Sequence, residues 1–337
     1  MRTKRPQPRL MDDFFLSAAA HRGGYMYRSD LLDLGLKDKH IRAAVQGGLL
    51  QRLRHGTYAP RGPERLNAEQ RHILIAHSIA DKLGPSVALS HHTAALAHAG
   101  TMWGIDLGTV HLTRLDGRGG RIEAGVDFHV GRIVRDEDLC VMDGRQYVVA
   151  DRAVIESNSL ATIEAGMVTT SFALREGQCT LPELEDRMRS YERWPGMLHV
   201  RLAVAKAEPR CESVGEVRSL HLFGAYRVPR PTAQVTVSDQ DGTRLARCDF
   251  GWEEFRHVGE FDGAIKYGRL NPYEGDDLGQ VLIDEKRRED AVRGAKYGMT
   301  RWMWSDLDAH PTKLAHRVLA DLENSRRLYA KNATVVQ

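Results

Sequence analysis

The sequence predicts a soluble α+β protein of several domains: an N-terminal winged helix-turn-helix, an α/β middle and a C-terminal segment ordered α-β-β-β-α-β. Three observations carry this. The chain has 337 residues, more than a single core usually serves, with 42% hydrophobic and 28% charged side chains. A helix pair punctuated by glycines and followed by a short hairpin pattern fills the first segment. After Cys211, helical and alternating apolar patterns follow one another in a regular order. The composition shifts place the domains at 10–62, 63–208 and 209–310, with a helix and tail over 311–337.

In the first domain Met11, Phe14, Phe15 and Ala18 recur at helical spacing until Gly23-Gly24 ends the run. Ser29 is placed to cap a short helix through Leu31, Leu32 and Leu34, and Gly35 suits the left-handed position after it. Asp38 then caps a second helix with Ile41, Ala44 and Val45 inward. That leaves Lys39, His40, Arg42, Ala43 and Gln46 outward, side-chain types that reach bases or phosphates in a major groove. LLQRLRHGTYA turns at Arg54-His55-Gly56 as a wing, offering Arg52, Arg54 and His55 to a DNA backbone. Residues 1–60 hold 11 Lys/Arg against 5 Asp/Glu, and the rest holds 37 against 40. The net charge of +3 therefore hides a basic N-terminal domain suited to double-stranded DNA, although Arg2, Lys4, Arg5 and Arg9 also fit a solvated tail.

The middle segment is informative about class rather than chemistry. A helix is expected from about Asn67 to Gly84, with Ile73, Ile75, Ala76 and Ile79 inside, and Ser90 can cap another through HHTAALAHAG. TVHLTRL, VDFHV and YVVA read as short strands; ATIEAGMVTTSFAL, LPELEDRMRSY and LHVRLAVAKA read as helices. His91, His92, His98 and His111 have no carboxylate at ligand spacing, and adjacent helical residues face different ways, so a helix start with one buried histidine is expected. The four cysteines are far apart with no CxxC pair, which points to reduced structural thiols. No phosphate-binding loop, dinucleotide fingerprint or nucleophile elbow is present. No stretch is long and apolar enough for a membrane span and no signal peptide is read, so a cytoplasmic protein is expected.

The C-terminal segment carries the chemistry. Val214, Val217, Leu220 and Phe223 form the apolar stripe of a helix that also bears Glu212 and Glu216. QVTVS and RLARCDFGW are strands about a DQDG turn, and RHVGEFDG is a third strand. The loop AIKYGRLNPYEGDDLG leads to a long helix, QVLIDEKRREDAVRGAKYG, and MTRWMW closes as a strand. Asp249 and Glu260 thus sit on consecutive strands, and Glu216 on the helix packed beside them. Hydrolysis of a phosphodiester needs a hydroxide near neutral pH and cover for charge on the phosphate. Mg²⁺ or Mn²⁺ held by a few carboxylates supplies both. Converging acids are costly without a cation between them.

Two resemblances sharpen these expectations. GGYMYRSDLLDLGLKDKHIRAAVQGGLLQRLRHGTYA resembles the N-terminal domain of AbiE-type antitoxins of type IV toxin–antitoxin systems, and SHHTAALAHAG resembles a later segment of that family more weakly. That likeness implies DNA binding, self-repression and a toxin or defence-system protein as partner. The combination ESVGEVR, ARCDFGW, VGEFDGAIKYG and EKRREDAVRGAKYGMTRWMWSDL resembles the PD-(D/E)XK nuclease superfamily, in its very-short-patch-repair-like branch. It implies a restriction-endonuclease-like fold, with Glu216, Asp249 and Glu260 as metal ligands. The lysine that the superfamily carries two residues after its third-strand acid is Asp262 here, so Lys266 or Lys286 would have to take the catalytic role and Asp262 could add a metal ligand. The functional expectation is a DNA-binding, metal-dependent endonuclease of phage defence, restriction or a mobile element. The alternative is a non-enzymatic repressor or antitoxin with an inert nuclease fold.

Overall fold

The computed structural model describes residues 8–62, 65–239, 241–263 and 278–330. The chain is mixed α and β, with three sheets among the described residues, and divides into two compact units, Met1–Arg201 and Leu202–Gln337. The first holds both the segment expected as a winged helix and most of the middle segment.

The first unit opens with α1 (Pro8–Ala20), β1 (Met26–Tyr27), α2 (Arg28–Asp33), α3 (Asp38–Gln46), β2 (Leu50–Arg54) and β3 (Thr57–Pro60). The strands pair antiparallel in the order β1-β3-β2. Phe15, Ala19, Leu31, Ile41, Ala44 and Leu50 are the buried residues that join helices to sheet, as the helical spacing requires. Gly35 takes the left-handed conformation, φ 83°, at the end of α2. Both expected caps differ. Ser29 lies inside α2, because Asp30 accepts the Tyr27 N–H at 2.8 Å and starts the helix earlier. Asp38 is the first residue of α3 and is held by Arg28 at 2.6 Å, while the Lys37 N–H is taken by the His40 ring.

The same unit continues with α4 (Ala68–Leu83), β4 (Val87–Leu89), α5 (His91–Ala99), β5 (Val110–Arg114), β6 (Arg121–Glu123), β7 (Val126–His129), α6 (Arg135–Asp138), β8 (Leu139–Met142), β9 (Arg145–Val148), α7 (Ala150–Leu160), α8 (Ile163–Arg175) and α9 (Leu181–Ser190), and the boundary between the units falls within α10 (Met197–Lys206). Its six strands run β6-β7-β5-β4-β9-β8, with β5/β7 and β4/β9 parallel. Asn67 caps α4 by accepting the Gln70 N–H at 2.7 Å. Helix α7 escapes the sequence reading for a physical reason. It is buried on nearly every side, including Arg152, Glu156 and Asn158, so it has no polar face to mark its period. Arg152 is matched there by Glu156 at 2.7 Å and Asp138 at 2.9 Å, and Arg187 joins Asp138 to Asp151.

The second unit contains α11 (Val214–Ala225), β10 (Thr232–Ser238), β11 (Arg244–Trp252), β12 (His257–Asp262), α12 (Leu278–Gly294), β13 (Gly298–Met303), α13 (Trp304–Asp308) and α14 (Pro311–Tyr329). The sheet runs β10-β11-β12-β13, antiparallel except for the β12/β13 pair. A parallel neighbour needs a crossover, and α12 lies between those two strands in sequence. Phe223, Phe250, Trp252 and Trp302 form an edge-to-face and stacked aromatic core. Gly215 lets α11 approach β12, since a Cβ there would stand 1.9 Å from the Phe261 ring. None of the four cysteines is in a disulfide. Among the described residues no helix is long and apolar enough to cross a membrane.

Candidate functional site

The second unit brings Glu216 and Asp249 together. Ser213 caps α11 by accepting the Glu216 N–H at 3.2 Å and returns its hydroxyl to Glu216 Oε1 at 2.7 Å. Glu216 Oε2 accepts from the Glu212 N–H at 2.9 Å and from the Gln234 amide at 2.8 Å. The same amide nitrogen reaches Asp249 Oδ1 at 3.4 Å. Gln234 sits on β10 with φ 55°, a backbone setting uncommon for a non-glycine residue.

Asp249 also marks the point where two strands part. The paired register of β11 and β12 runs from Trp252/His257 to Phe250/Gly259, and the following donor, the Phe261 N–H, goes to Asp249 Oδ2 at 2.9 Å. Burial raises the Asp249 carboxyl above its ordinary range, against the opposing bonds from Phe261 and Gln234. Burial likewise raises Glu216, with the neighbouring charge of Asp249 adding to it and the Glu212 and Ser213 donors opposing. Two acids are thus held in a place that disfavours their charge.

Glu260, on β12 and 9% exposed, is met differently. Arg301 is its register partner on β13 and lies 3.1 Å from its carboxylate, and Arg288 on α12 pairs with it from another direction. The cations beside Glu260 are therefore arginines that sequence reasoning passed over. Arg301 was detectable only as an opposite charge on a neighbouring strand, which needs the register. Lys286 is exposed on α12, and Lys266 lies outside the described residues. Asp262 ends β12, half-buried. Among the described residues, Glu216, Asp249 and Glu260 do not form a group with ligand atoms mutually within 4.8 Å; His111, Asp127 and His129 do. The expectation of one buried histidine falls short, since His91, His92, His98 and His111 are all buried, and the expectation of no carboxylate partner missed Asp127, which lies on the adjacent strand β7.

In the first unit Lys39, His40, Arg42 and Gln46 are exposed on α3, Arg52 and His55 are exposed on the hairpin, and Arg54 is half-buried. Arg42, Arg52 and His55 line one shallow hollow of about 300 Å³ with Arg28, Asp38 and Tyr58. Arg52 reaches the His55 ring at 3.0 Å. His40 spends its Nδ1 on the Lys37 N–H, which leaves Nε2 as its outward group.

No family model matches the chain. An uncharacterized protein of Mycobacterium tuberculosis, found in strains CDC 1551 and H37Rv, is 24% identical over 294 residues, which span 86% of this chain and 98% of that protein. A crystal structure of the Rv2827c protein from M. tuberculosis overlaps 69% of this chain and 85% of its own, at 12% identity and a TM-score of 0.38.

Proposed function

We propose that this chain is a DNA-directed, Mg²⁺- or Mn²⁺-dependent endonuclease, with a winged helix over residues 10–62 and a restriction-endonuclease-like domain over 209–310. One observation carries the reading: a single side-chain amide, that of Gln234, draws Glu216 and Asp249 together at the point where β11 and β12 part. The donor set fits a hard divalent cation, which commonly takes one or two carboxylates plus water and phosphate oxygens. Glu216 and Asp249 would hold the ion, with Glu260 and Asp262 beside it, and the ion would supply an activated water and charge stabilisation.

The chain's own residues have separate work. Ser213 and the Glu212 N–H fix the rotamer of Glu216, and the Phe261 N–H fixes Asp249. Arg288 and Arg301 bring positive charge to the same strand ends, where a scissile phosphate would need it. Lys286 is free to meet the DNA backbone from the surface of α12. Arg42, Arg52 and His55 supply a phosphate-contacting hollow in the first unit.

A second reading draws on Glu260. Its pairing with Arg288 and Arg301 balances its charge without a metal, and Asp262 stands where the nuclease superfamily has lysine. Both features favour a repressor or antitoxin that binds DNA, with a toxin or defence protein as partner, and does not cut. Incubating the full chain with supercoiled plasmid and Mg²⁺ or Mn²⁺ separates the two. Nicking that disappears in Asp249→Ala supports the nuclease. Plasmid retarded on a gel but intact with either metal supports the repressor.

A further inference from the structure

The first unit contains a second place suited to a cation, of a different chemical kind. Strands β5 and β7 are parallel and in register, with His111 opposite Asp127 and Thr113 opposite His129. Residues two apart on a strand share a face, so Asp127 and His129 project together beside His111. His111 Nδ1 lies 2.8 Å from His129 Nε2, and that same Nε2 lies 3.6 Å from Asp127 Oδ2. Nitrogen and oxygen ligands bound at about 2.0–2.2 Å around a tetrahedral ion stand roughly 3.3–3.6 Å apart. The His129–Asp127 separation matches that spacing, while His111 and His129 are in hydrogen-bond contact and would have to exchange that bond for the ion. A small widening of the two imidazoles would admit an ion.

We infer that His111, Asp127 and His129 form a binding site for a divalent transition-metal ion of the Zn²⁺ class, separate from the carboxylates of the second unit. Two imidazoles and one carboxylate select a borderline ion over Mg²⁺, which prefers oxygen donors. Three protein ligands leave a position for water or a substrate atom. His111 is buried, while Asp127 and His129 keep 25% and 20% of their side chains exposed, so the ion has a way in.

The surroundings are those of a supported site. The His91 ring stacks on His129 with centroids 3.6 Å apart, at a left-handed φ of 47° on the first residue of α5. Behind it, Glu156 lies 3.3 Å from His91 Nδ1 and is fixed by Arg152 at 2.7 Å. The stacked His91 ring, itself held by Glu156, limits how far the His129 ring can turn.

The probe is Zn²⁺ itself, added to full-length protein stripped with a chelator. Equilibrium dialysis should find a Zn²⁺ equivalent that excess Mg²⁺ does not displace, and Co²⁺ in its place should give the visible absorption of a tetrahedral or five-coordinate ion. Asp127→Asn and His129→Gln, both at half-exposed positions, should each weaken binding at least tenfold, on the order of losses seen for metal-site variants. Asp249→Asn should leave Zn²⁺ binding unchanged, which keeps this site distinct from the nuclease reading. Failure to retain Zn²⁺ in the parent protein, or unaltered retention in both folded variants, would overturn the assignment.

Discussion

Glu216 and Asp249 accept hydrogen bonds from the same nitrogen, the side-chain amide of Gln234, at 2.8 and 3.4 Å. Glu216 is buried, Asp249 is half-buried, and both carboxyls are raised above their usual range, so each is costly to keep charged without a cation. A stability signature follows. Asp249→Asn keeps an acceptor for the Phe261 N–H, loses only the longer contact to Gln234 and removes one of the charges. The variant is expected to melt a few degrees higher than the parent at neutral pH in chelator, a gain of roughly 1 kcal/mol. Millimolar Mg²⁺ should then raise the parent's melting point and leave the variant's alone. A parent melting curve indifferent to Mg²⁺ and Mn²⁺ would count against a cation at these acids.

Helix α11 holds Glu216 in place only because Gly215 beside it lacks a side chain. A Cβ would meet the Phe261 ring, which is already set edge-on against Trp304 at 5.0 Å. Gly215→Ala is expected to cost about 1–3 kcal/mol through overpacking, although alanine is the better helix former. Because Phe261 follows Glu260, any nuclease activity should fall further than stability does. Denaturant titration beside plasmid nicking measures both, and an alanine variant as stable as the parent would refute the close packing.

These two sites show how far the sequence could be read. Strand β11 was legible because Arg244–Trp252 alternates and is bounded by turn residues, and α11 was legible from Val217, Leu220 and Phe223. Glu216 and Asp249 could be named from residue type and order alone. Gln234 could not, since its role depends on a left-handed backbone within a strand that alternation cannot register. Arg288 and Arg301 were hidden for another reason. Arg288 lies in a run of charges that reads as a solvated face, and Arg301 is the lone charge of the strand MTRWMW until the register sets it opposite Glu260. His129 and Asp127 were missed because the β5/β7 pairing, and not sequence spacing, makes them neighbours of His111.

The buried charges of α7 give an independent test of the first unit. Arg152 and Glu156 are each about 1% exposed, with Asp138 as a second partner for the guanidinium. Arg152→Met leaves Glu156 and Asp138 without their shared cation and is expected to cost roughly 3–5 kcal/mol. Arg152→Met combined with Glu156→Leu should recover much of that loss, since an apolar pair of similar volume replaces a buried ion pair at little cost. A double-mutant cycle by urea denaturation gives the coupling. Additive single effects would mean that the pair is not the source of the penalty.

His257 ties stability to pH. Its ring lies between Ser325 and Thr300 at 2.8 and 2.9 Å, and burial pushes its pKa down to about 4 despite the opposing charge of Asp321. In the unfolded chain the ring protonates near its ordinary value of about 6.5. The unfolded state therefore binds more protons between those values. The contribution is whole above about 6.5 and is lost as the pH falls towards 4, up to roughly 3 kcal/mol. His77 and His92, also lowered to about 4 by burial, act in the same direction. Urea midpoints measured from pH 7 to 4 should drop steeply for the parent and less steeply for His257→Gln. Parallel curves would show that His257 does not contribute to the acid sensitivity.

Arg42 and Arg52 come from different elements, α3 and the hairpin, and line one hollow with His55. On the proposed DNA-binding function, both would share a phosphate contact. Neutralising the two together, as Arg42→Gln with Arg52→Gln, removes charge from exposed positions and should leave folding intact. If each guanidinium displaces one counterion, the slope of log affinity against log salt for duplex DNA should flatten by about 2. Fluorescence anisotropy with a short duplex across a KCl series reads this directly. The loss should be uniform over DNA sequences, because phosphate contacts position a protein without reading bases. An unchanged slope in a folded double variant would remove this hollow from the proposed DNA-binding surface, and Lys39, Gln46 and Arg54 would then be the residues left to test.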